Sequence, residues 1–403
     1  MRDFYLYSLQ VTLTKIMDAD RVRELERKIL VESTKFLMGM EEPARLFVRS
    51  FFMLLPYTDK IGLNGSNVKA MGQAHVLLEG GTGVGKTDLV ECGSNAITAI
   101  VNRIQGTPDL MPYHILGDYV FVEDISGKRS IRLRPGKLYS NILFIDEANR
   151  IKPHTKSAIF EGMEERSVTP QSEYLDLGGE ELRGKKFPLF PISGRIDDFT
   201  SHRHFQVFAT QNVFGEEEGT SRSPRAELDR FTMCISMNRP PFEDEAKISS
   251  KRIVGIKVEK VTDLAELLEA SQYVYDNVSF SEDSPAWNYK VALIRNTDPT
   301  KVQGSPAFAR YIKDHVFHNE RDGGIGGGSP RVQYHLEAAA RVQAFFSGSD
   351  VVRPEHVKAI APYVINHRLV IRSEKEMKVK PYDVFGEVLE NTRIPGWKIS
   401  LVS

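Results

Sequence analysis

Two short stretches hold residues whose types and spacing can do chemistry. The first is Gly80-Gly81-Thr82-Gly83-Val84-Gly85-Lys86-Thr87. A Gly-x-x-x-x-Gly-Lys-Thr run lets successive backbone N–H groups turn toward phosphate oxygens. Lys86 brings the charge that neutralises β- and γ-phosphates, and Thr87 a hydroxyl for Mg2+. Asp88 follows in the first turn of the helix this loop opens, completing the candidate nucleotide contacts. The second stretch is "NILFIDEANR", Asn141 to Arg150, where four apolar residues run into Asp146 and Glu147. Two like charges at the tip of a buried strand repel and are costly to desolvate. Mg2+ at Asp146, direct or through water, compensates that charge. Glu147 is then free to orient and deprotonate an attacking water. The pair favours ATP hydrolysis over transfer to an acceptor substrate.

The elements that must position these groups are legible as patterns. "HVLLEG" from His75 reads as a buried strand, followed by the glycine turn and a helix through 86–103. "NILFID" is a second strand, with a helix at 153–166 after it. "FQVFATQN" (205–212) and "RFTMCISM" (230–237) are a third and a fourth. Buried strands alternating with helices predict an α/β fold with a parallel sheet covered on both faces. "NRPPFEDEAK" at 238–247 marks a boundary. Beyond it the periodicity is helical at 244–254, 262–277, 284–298, 305–318, 330–347 and 354–371, with the glycine loop 322–330 opening a helix at Pro330. Upstream, residues 4–14 alternate like a half-buried strand. Residues 18–38 read as a helix with a solvated charged face, about 41–55 as a second helix, and 57–74 as a polar loop. The expected division is an extension at 1–38, an α/β core at 39–238 and a helical part at 239–403.

Bulk properties exclude several classes. The chain has 403 residues, 41% hydrophobic and 27% charged, which suits a soluble protein of two or three domains. Its formal net charge of −1 offers no basic footprint for nucleic acid. Two cysteines, Cys92 and Cys234, lie far apart and make neither a zinc motif nor a disulfide framework. No stretch reaches the roughly 18 apolar residues of a membrane span. "LFVRSFFMLL" is broken by Arg49 and reads as a core helix. Asp3 and the lack of a small-residue cleavage site argue against a signal peptide, so a cytoplasmic location is expected.

The ordered set of motifs resembles the MoxR family of AAA+ ATPases. "HVLLEGGTGVGKT" is similar to its P-loop, "RIQGTPDLMPYHILGD" (103–118) to its signature, and residues 133–169 to its Walker B block. "VFATQN" and "AELDRF" (226–231) resemble its sensor-1 strand and arginine-finger segment. "GGSPR" (327–331) and residues 352–368 resemble its lid, so the likeness spans roughly 39–375.

The resemblance implies an AAA+ core with an all-α lid and ATP with Mg2+ between them. It implies Asn212 as sensor 1, Arg230 as an arginine finger reaching a neighbour's ATP, and Arg331 as sensor 2 reaching the nucleotide from the lid. Arg150 is a lesser candidate for a subunit interface, and "LMGMEE" (37–42) aligns with the adenine cap. Residues 110–136 look like an insertion facing a pore, where Tyr113, Tyr119 and Phe121 either grip a client or pack a hairpin. Residues 167–205 form a longer insertion than the family pattern, and "HRH" (202–204) within it is not assigned a metal. The implied assembly is a hexameric ring doing chaperone-like work on a protein client, through a partner with a von Willebrand factor A domain. Two rivals stay open at this level: a nucleic-acid motor, and an ATP-gated scaffold with little turnover.

Overall fold

A computed structural model describes residues 17–59, 68–123, 127, 129–168, 187–189, 204–212, 224–248, 257–319, 324–373, 375 and 378–394. The apolar runs form a five-stranded parallel sheet. Its strands are β1 (Val76–Gly80), β2 (Val101–Gln105), β3 (Ile142–Asp146), β4 (Gln206–Gln211) and β5 (Met233–Met237), in the order β5-β1-β4-β3-β2. Register follows the apolar residues: Val76 lies between Met233 and Phe208, and Ile142 between Gln206 and Val101.

Alternation along each strand sorts the core into two layers. Val76, Leu78, Phe144, Phe208, Met233 and Ile235 face one way. Leu77, Leu143, Ile145, Val207, Ala209 and Cys234 face the other. The first face carries α1 (Ala19–Ser33), α2 (Glu41–Arg49) and α3 (Lys86–Asn95) and runs without a break into the helical part. Phe47, Phe51 and Phe208 pack there edge-on or tilted, with ring centroids 4.6–5.4 Å apart. The second face is closed by α4 (Pro153–Glu165) through Ala158, Ile159, Phe160 and Met163.

Strand β2 departs from the expected helix over 86–103. Ile97, Ile100, Val101 and Ile104 are spaced i, i+3, i+4, i+7, which imitates a helical stripe. Strand pairing to β3 decides the matter, and α3 ends at Asn95. The expected loop at 57–74 contains an antiparallel hairpin instead, Leu54–Asp59 against Val68–Gln73. In the 110–136 insertion, a short helix at Pro112–Leu116 leads into a hairpin pairing Gly117–Glu123 with Arg129–Pro135. The proposed N-terminal strand 4–14 and most of the 167–205 insertion lie outside the described residues.

The helical part comprises α5 (Leu264–Asn277), α6 (Pro285–Asn296), α7 (Pro306–His315), α8 (Val332–Phe346), α9 (Pro354–Ile365) and α10 (Pro381–Asn391). Ser284 and Ser305 each accept a bond from a backbone N–H three residues on, with proline at the first helical position. The expected helices at 262–277, 284–298, 305–318, 330–347 and 354–371 are thus present but shorter. A helix at Phe242–Ile248 answers to the one expected at 244–254, whose remainder lies outside the described residues. The last helix, at Pro381–Asn391, is one that the periodicity did not announce.

Asp229 joins the two parts. Its carboxylate accepts from Ser329 Oγ at 2.8 and 2.9 Å and from Arg368 Nε at 3.0 Å. Arg368 is fully buried; burial lowers its guanidinium to about 10, against the pull of Asp229. Its other nitrogens reach the Phe231 carbonyl and His335 Nδ1. Below this latch, His75 accepts from the Val207 N–H at Nδ1 (2.9 Å) and faces the Met163 carbonyl through Nε2 (3.1 Å). Those partners require the neutral tautomer. His367 Nε2 likewise faces the Phe231 carbonyl at 3.2 Å. Burial depresses His75, His335 and His367 well below the ordinary histidine range.

A folded-state pKa below the unfolded value means that the unfolded chain binds more protons in acid. Stability is therefore complete above pH about 6.5 and is lost as pH falls below it. Denaturant titrations from pH 7.5 to 5 should show a steep, several-proton decline starting near pH 6.5. Asp229→Asn, which leaves Arg368 unpaired, should cost about 3 kcal/mol or more at pH 7.5.

Candidate nucleotide-binding site

The loop between β1 and α3 lies at the edge where the strands end. Gly85 begins α3 with φ +86, and a Cβ there would stand 2.4 Å from Leu37 Cδ2. A Cβ on Gly80 would stand 2.1 Å from the Met237 carbonyl oxygen. Both positions need glycine, one for its backbone angle and one for close strand packing. Leu37 thereby brings the 37–42 segment onto the loop. Gly39 abuts Pro240, Pro241 and Asp244.

Lys86 is buried and donates to the carbonyls of Gly80 (2.8 Å) and Gly81 (2.6 Å) and to Asn212 Oδ1 (2.8 Å). Asn212, just beyond β4, therefore shares an ammonium with the loop. The Thr87 hydroxyl lies 3.3 and 3.4 Å from the Asp146 oxygens. A hydroxyl and a carboxylate converging beside a phosphate loop form the sparse, hard-oxygen donor set that Mg2+ accepts, with phosphates and waters completing its shell. Asp146 also accepts from Thr210 Oγ1 at 2.6 Å and pairs with Arg103 at 2.6 Å. Its charge is thus compensated within the chain, by Arg103, as well as through any metal.

Glu147 follows β3 in the left-handed region, φ 54 and ψ 50. A non-glycine residue there stores about 1 kcal/mol or more of strain. Its N–H donates to Thr210 Oγ1 (3.0 Å), while Gln105 donates to its carboxylate (2.9 Å) and Arg150 stands 3.5 Å away. The carboxylate is held, partly exposed, beyond the strand ends. Glu79, one residue before the loop, is pushed above the usual carboxylate range by burial, with Gln211 and Lys86 opposing.

Arg230 and Arg331 lie elsewhere. Arg230 precedes β5 and sits where the strands begin, beside His75 and Thr232. It pairs with Glu164 at 3.3 Å and lies over the Phe160 ring. Arg331, at the start of α8, pairs with the same Glu164 at 2.7 Å and approaches Asp229 at 3.8 Å. Both line a cleft of about 470 Å³. The expectation that Arg331 reaches its own nucleotide from the lid is corrected: a strand length, about 15 Å, separates the two edges. The cause is the latch at Asp229, which seats the lid's Ser329–Arg331 against the edge where the strands begin.

Other sequence candidates distribute as follows. Gly81, Thr82, Gly83 and Val84 form the loop itself, and Asp88 lies in the first turn of α3. Tyr113 is half exposed and tilted against His114, while the side chains of Tyr119 and Phe121 lie outside the described residues. His204 is buried, and the described residues contain no group of three His, Cys, Asp or Glu placed to hold a metal. Sequence reasoning missed Arg103, Gln105, Thr210 and Glu164. Arg103 stood at the end of the expected helix 86–103 and Gln105 just beyond it, both inside the 103–118 stretch but with no role read for either. Thr210 and Glu164 stood inside recognised motifs with no charge or spacing cue of their own.

Comparison with known proteins agrees with this geometry. Residues 75–180 match the family described as "ATPase family associated with various cellular activities (AAA)", and residues 325–385 match the AAA lid domain. The chain is 29% identical over 327 residues to the uncharacterized protein YeaC of Bacillus subtilis, covering 81% of this chain and 87% of that one. It is 28% identical over 330 residues to chaperone MoxR1 of Mycobacterium tuberculosis, covering 81% and 76%. Protein MoxR of Methylorubrum extorquens is 27% identical, with 77% and 83% covered. A crystal structure of a presumed ATPase of Cytophaga hutchinsonii superposes with TM-score 0.66 over 93% of this chain and 97% of that one. At 24% identity, that likeness speaks for the fold alone.

Glu147→Gln should keep nucleotide affinity, because the loop contacts survive, and should lower turnover by about 10²–10⁴-fold. Equilibrium binding of a fluorescent ATP analogue alongside phosphate release would separate the two effects. The phosphate loop, the carboxylate pair and the two matched models agree on an AAA-type ATPase, and the chain is similar to the MoxR proteins.

Proposed function

We propose that the catalytic unit of this ATPase is shared between copies arranged in a ring, hexameric by family resemblance. One copy supplies the Gly80–Thr87 loop, Asp146, Glu147 and Asn212. The next supplies Arg230 and Arg331. The observation that carries this reading is the position of the two arginines at the opposite edge of the sheet from their own loop. Head-to-tail packing brings the beginning edge of one sheet against the ending edge of the next, which closes a ring when the rotation closes.

In this reading each residue has one task. Loop N–H groups and Lys86 bind the phosphates. Thr87 and Asp146 hold Mg2+, which when bound neutralises charge on the β- and γ-phosphate oxygens. Glu147 takes the proton of the attacking water, with Gln105 orienting its carboxylate. Arg230 and Arg331 of the neighbour stabilise charge on the terminal phosphate. The Leu37 segment caps the adenine.

Hydrolysis then moves the lid. Because Asp229 ties Ser329 and Arg368 to the segment bearing Arg230, a lid shift carries the arginines with it. We read the work as chaperone-like remodelling or activation of a protein client, with a von Willebrand factor A domain protein as a partner. The name of the mycobacterial relative, chaperone MoxR1, supports the chaperone reading. The core at 39–238 and lid at 239–403 are the moving parts, in the cytoplasm.

Phosphate release per subunit should rise with protein concentration, and Arg230→Ala should lower the plateau by about 10³-fold or more. A flat profile with a normal mutant would remove the shared site.

A further inference from the structure

Glu164, at the end of α4, meets both arginines at once. Oε1 takes Arg331 Nη2 at 2.7 Å, and Oε2 takes Arg230 Nη2 at 3.3 Å. One oxygen to each guanidinium is also how two arginines would grip two oxygens of a phosphate, since carboxylate and phosphate present similar planar edges to the fork. Arg230 is held in place by the Ala226 carbonyl and the Phe160 ring, and Arg331 by Asp229. The clamp is therefore built before any phosphate arrives. Its mouth is open, because Glu164 is 45% exposed and Arg331 37% exposed at the rim of the cleft.

We propose that Glu164 is an internal stand-in for the neighbour's terminal phosphate, occupying the Arg230–Arg331 clamp in the free subunit and being displaced when a nucleotide-loaded copy docks. This rests on the shared-site reading above. Without Glu164, Arg230 would lose the carboxylate paired with it here, and Arg331 would be left with the longer contact to Asp229 at 3.8 Å. That raises the energy of the free subunit and attracts any anion. With Glu164 in place, the clamp is satisfied, and only an anion of higher charge in the right position competes. A γ-phosphate does so; a diphosphate, lacking that group, does not reach it. Assembly is thereby made conditional on the triphosphate. The fraction of free subunits with an open clamp sets the apparent affinity between copies.

The test uses the full chain with saturating Mg-ATP. Phosphate release per subunit is followed against protein concentration for wild type, Glu164→Gln, Arg230→Ala, and the two substitutions combined. Gln keeps the size and removes the charge. The expected result is a half-maximal concentration lowered about tenfold in Glu164→Gln. Addition of Arg230→Ala should abolish the gain. Sedimentation with ADP should leave both wild type and Glu164→Gln unassembled, since a diphosphate does not reach the clamp. An unchanged half-maximal concentration overturns the proposal. So does a fall in turnover at full assembly, which would make Glu164 a positioning residue. If Arg230→Ala alone leaves wild-type activity normal, the shared site itself fails; if it abolishes activity while Glu164→Gln changes nothing, only the stand-in role fails.

Discussion

A parallel sheet has two unlike edges, and nearly everything else in this protein follows from that. All five strands run the same way, so every strand end that can carry a catalytic group lies on one side. The phosphate loop after β1, Asp146 and Glu147 after β3, and Asn212 after β4 are brought together by that polarity alone. The residues that begin strands are gathered at the other edge with equal strictness. Arg230 precedes β5, and no rotamer change carries its side chain across the length of a strand. A chain built this way holds its phosphate loop and its Arg230–Arg331 pair at opposite edges of one sheet.

The interior is arranged to keep both edges stiff. At the ending edge, Thr210 bonds both Asp146 and the N–H of Glu147, so a single hydroxyl sets the relation between the two carboxylates. Arg103 sets a positive charge beside the nearly buried Asp146 carboxylate. At the beginning edge, His75 ties β4 to α4, and Asp229 ties the lid to the approach to β5. Both are buried polar connections with their partners supplied, the condition under which such networks rigidify a fold instead of weakening it. The hydrophobic layer that runs from the sheet into α8 and α9 makes lid and core one packing unit on that face. Polar contacts of Ser271 with the Phe51 carbonyl and of Tyr363 with Glu42 cross the same boundary as those at Asp229.

Much of this was readable from local pattern. Four of the five strands announced themselves as short apolar runs, and the phosphate loop by glycine spacing. Strand β2 did not, because Ile97, Ile100, Val101 and Ile104 carry a helical period in a segment that pairs as a strand. Non-local hydrogen bonding to β3 overrode the local signal. The hairpin at Leu54–Gln73 was masked by polar and glycine content that also suits a loop.

The sequence by itself determined which residues have phosphate and carboxylate chemistry, because glycine spacing, a lysine and two adjacent acids are properties of neighbours along the chain. It also determined the α/β class and the helical part after residue 238, since both rest on periodicity. Only the tertiary structure decided where Arg331 points. Its position depends on Asp229, some hundred residues away, accepting from Ser329 and Arg368. The same holds for Glu164 between the two arginines, and for Arg103 and Thr210 around Asp146. These are contacts between elements distant in sequence, and no local spacing encodes them.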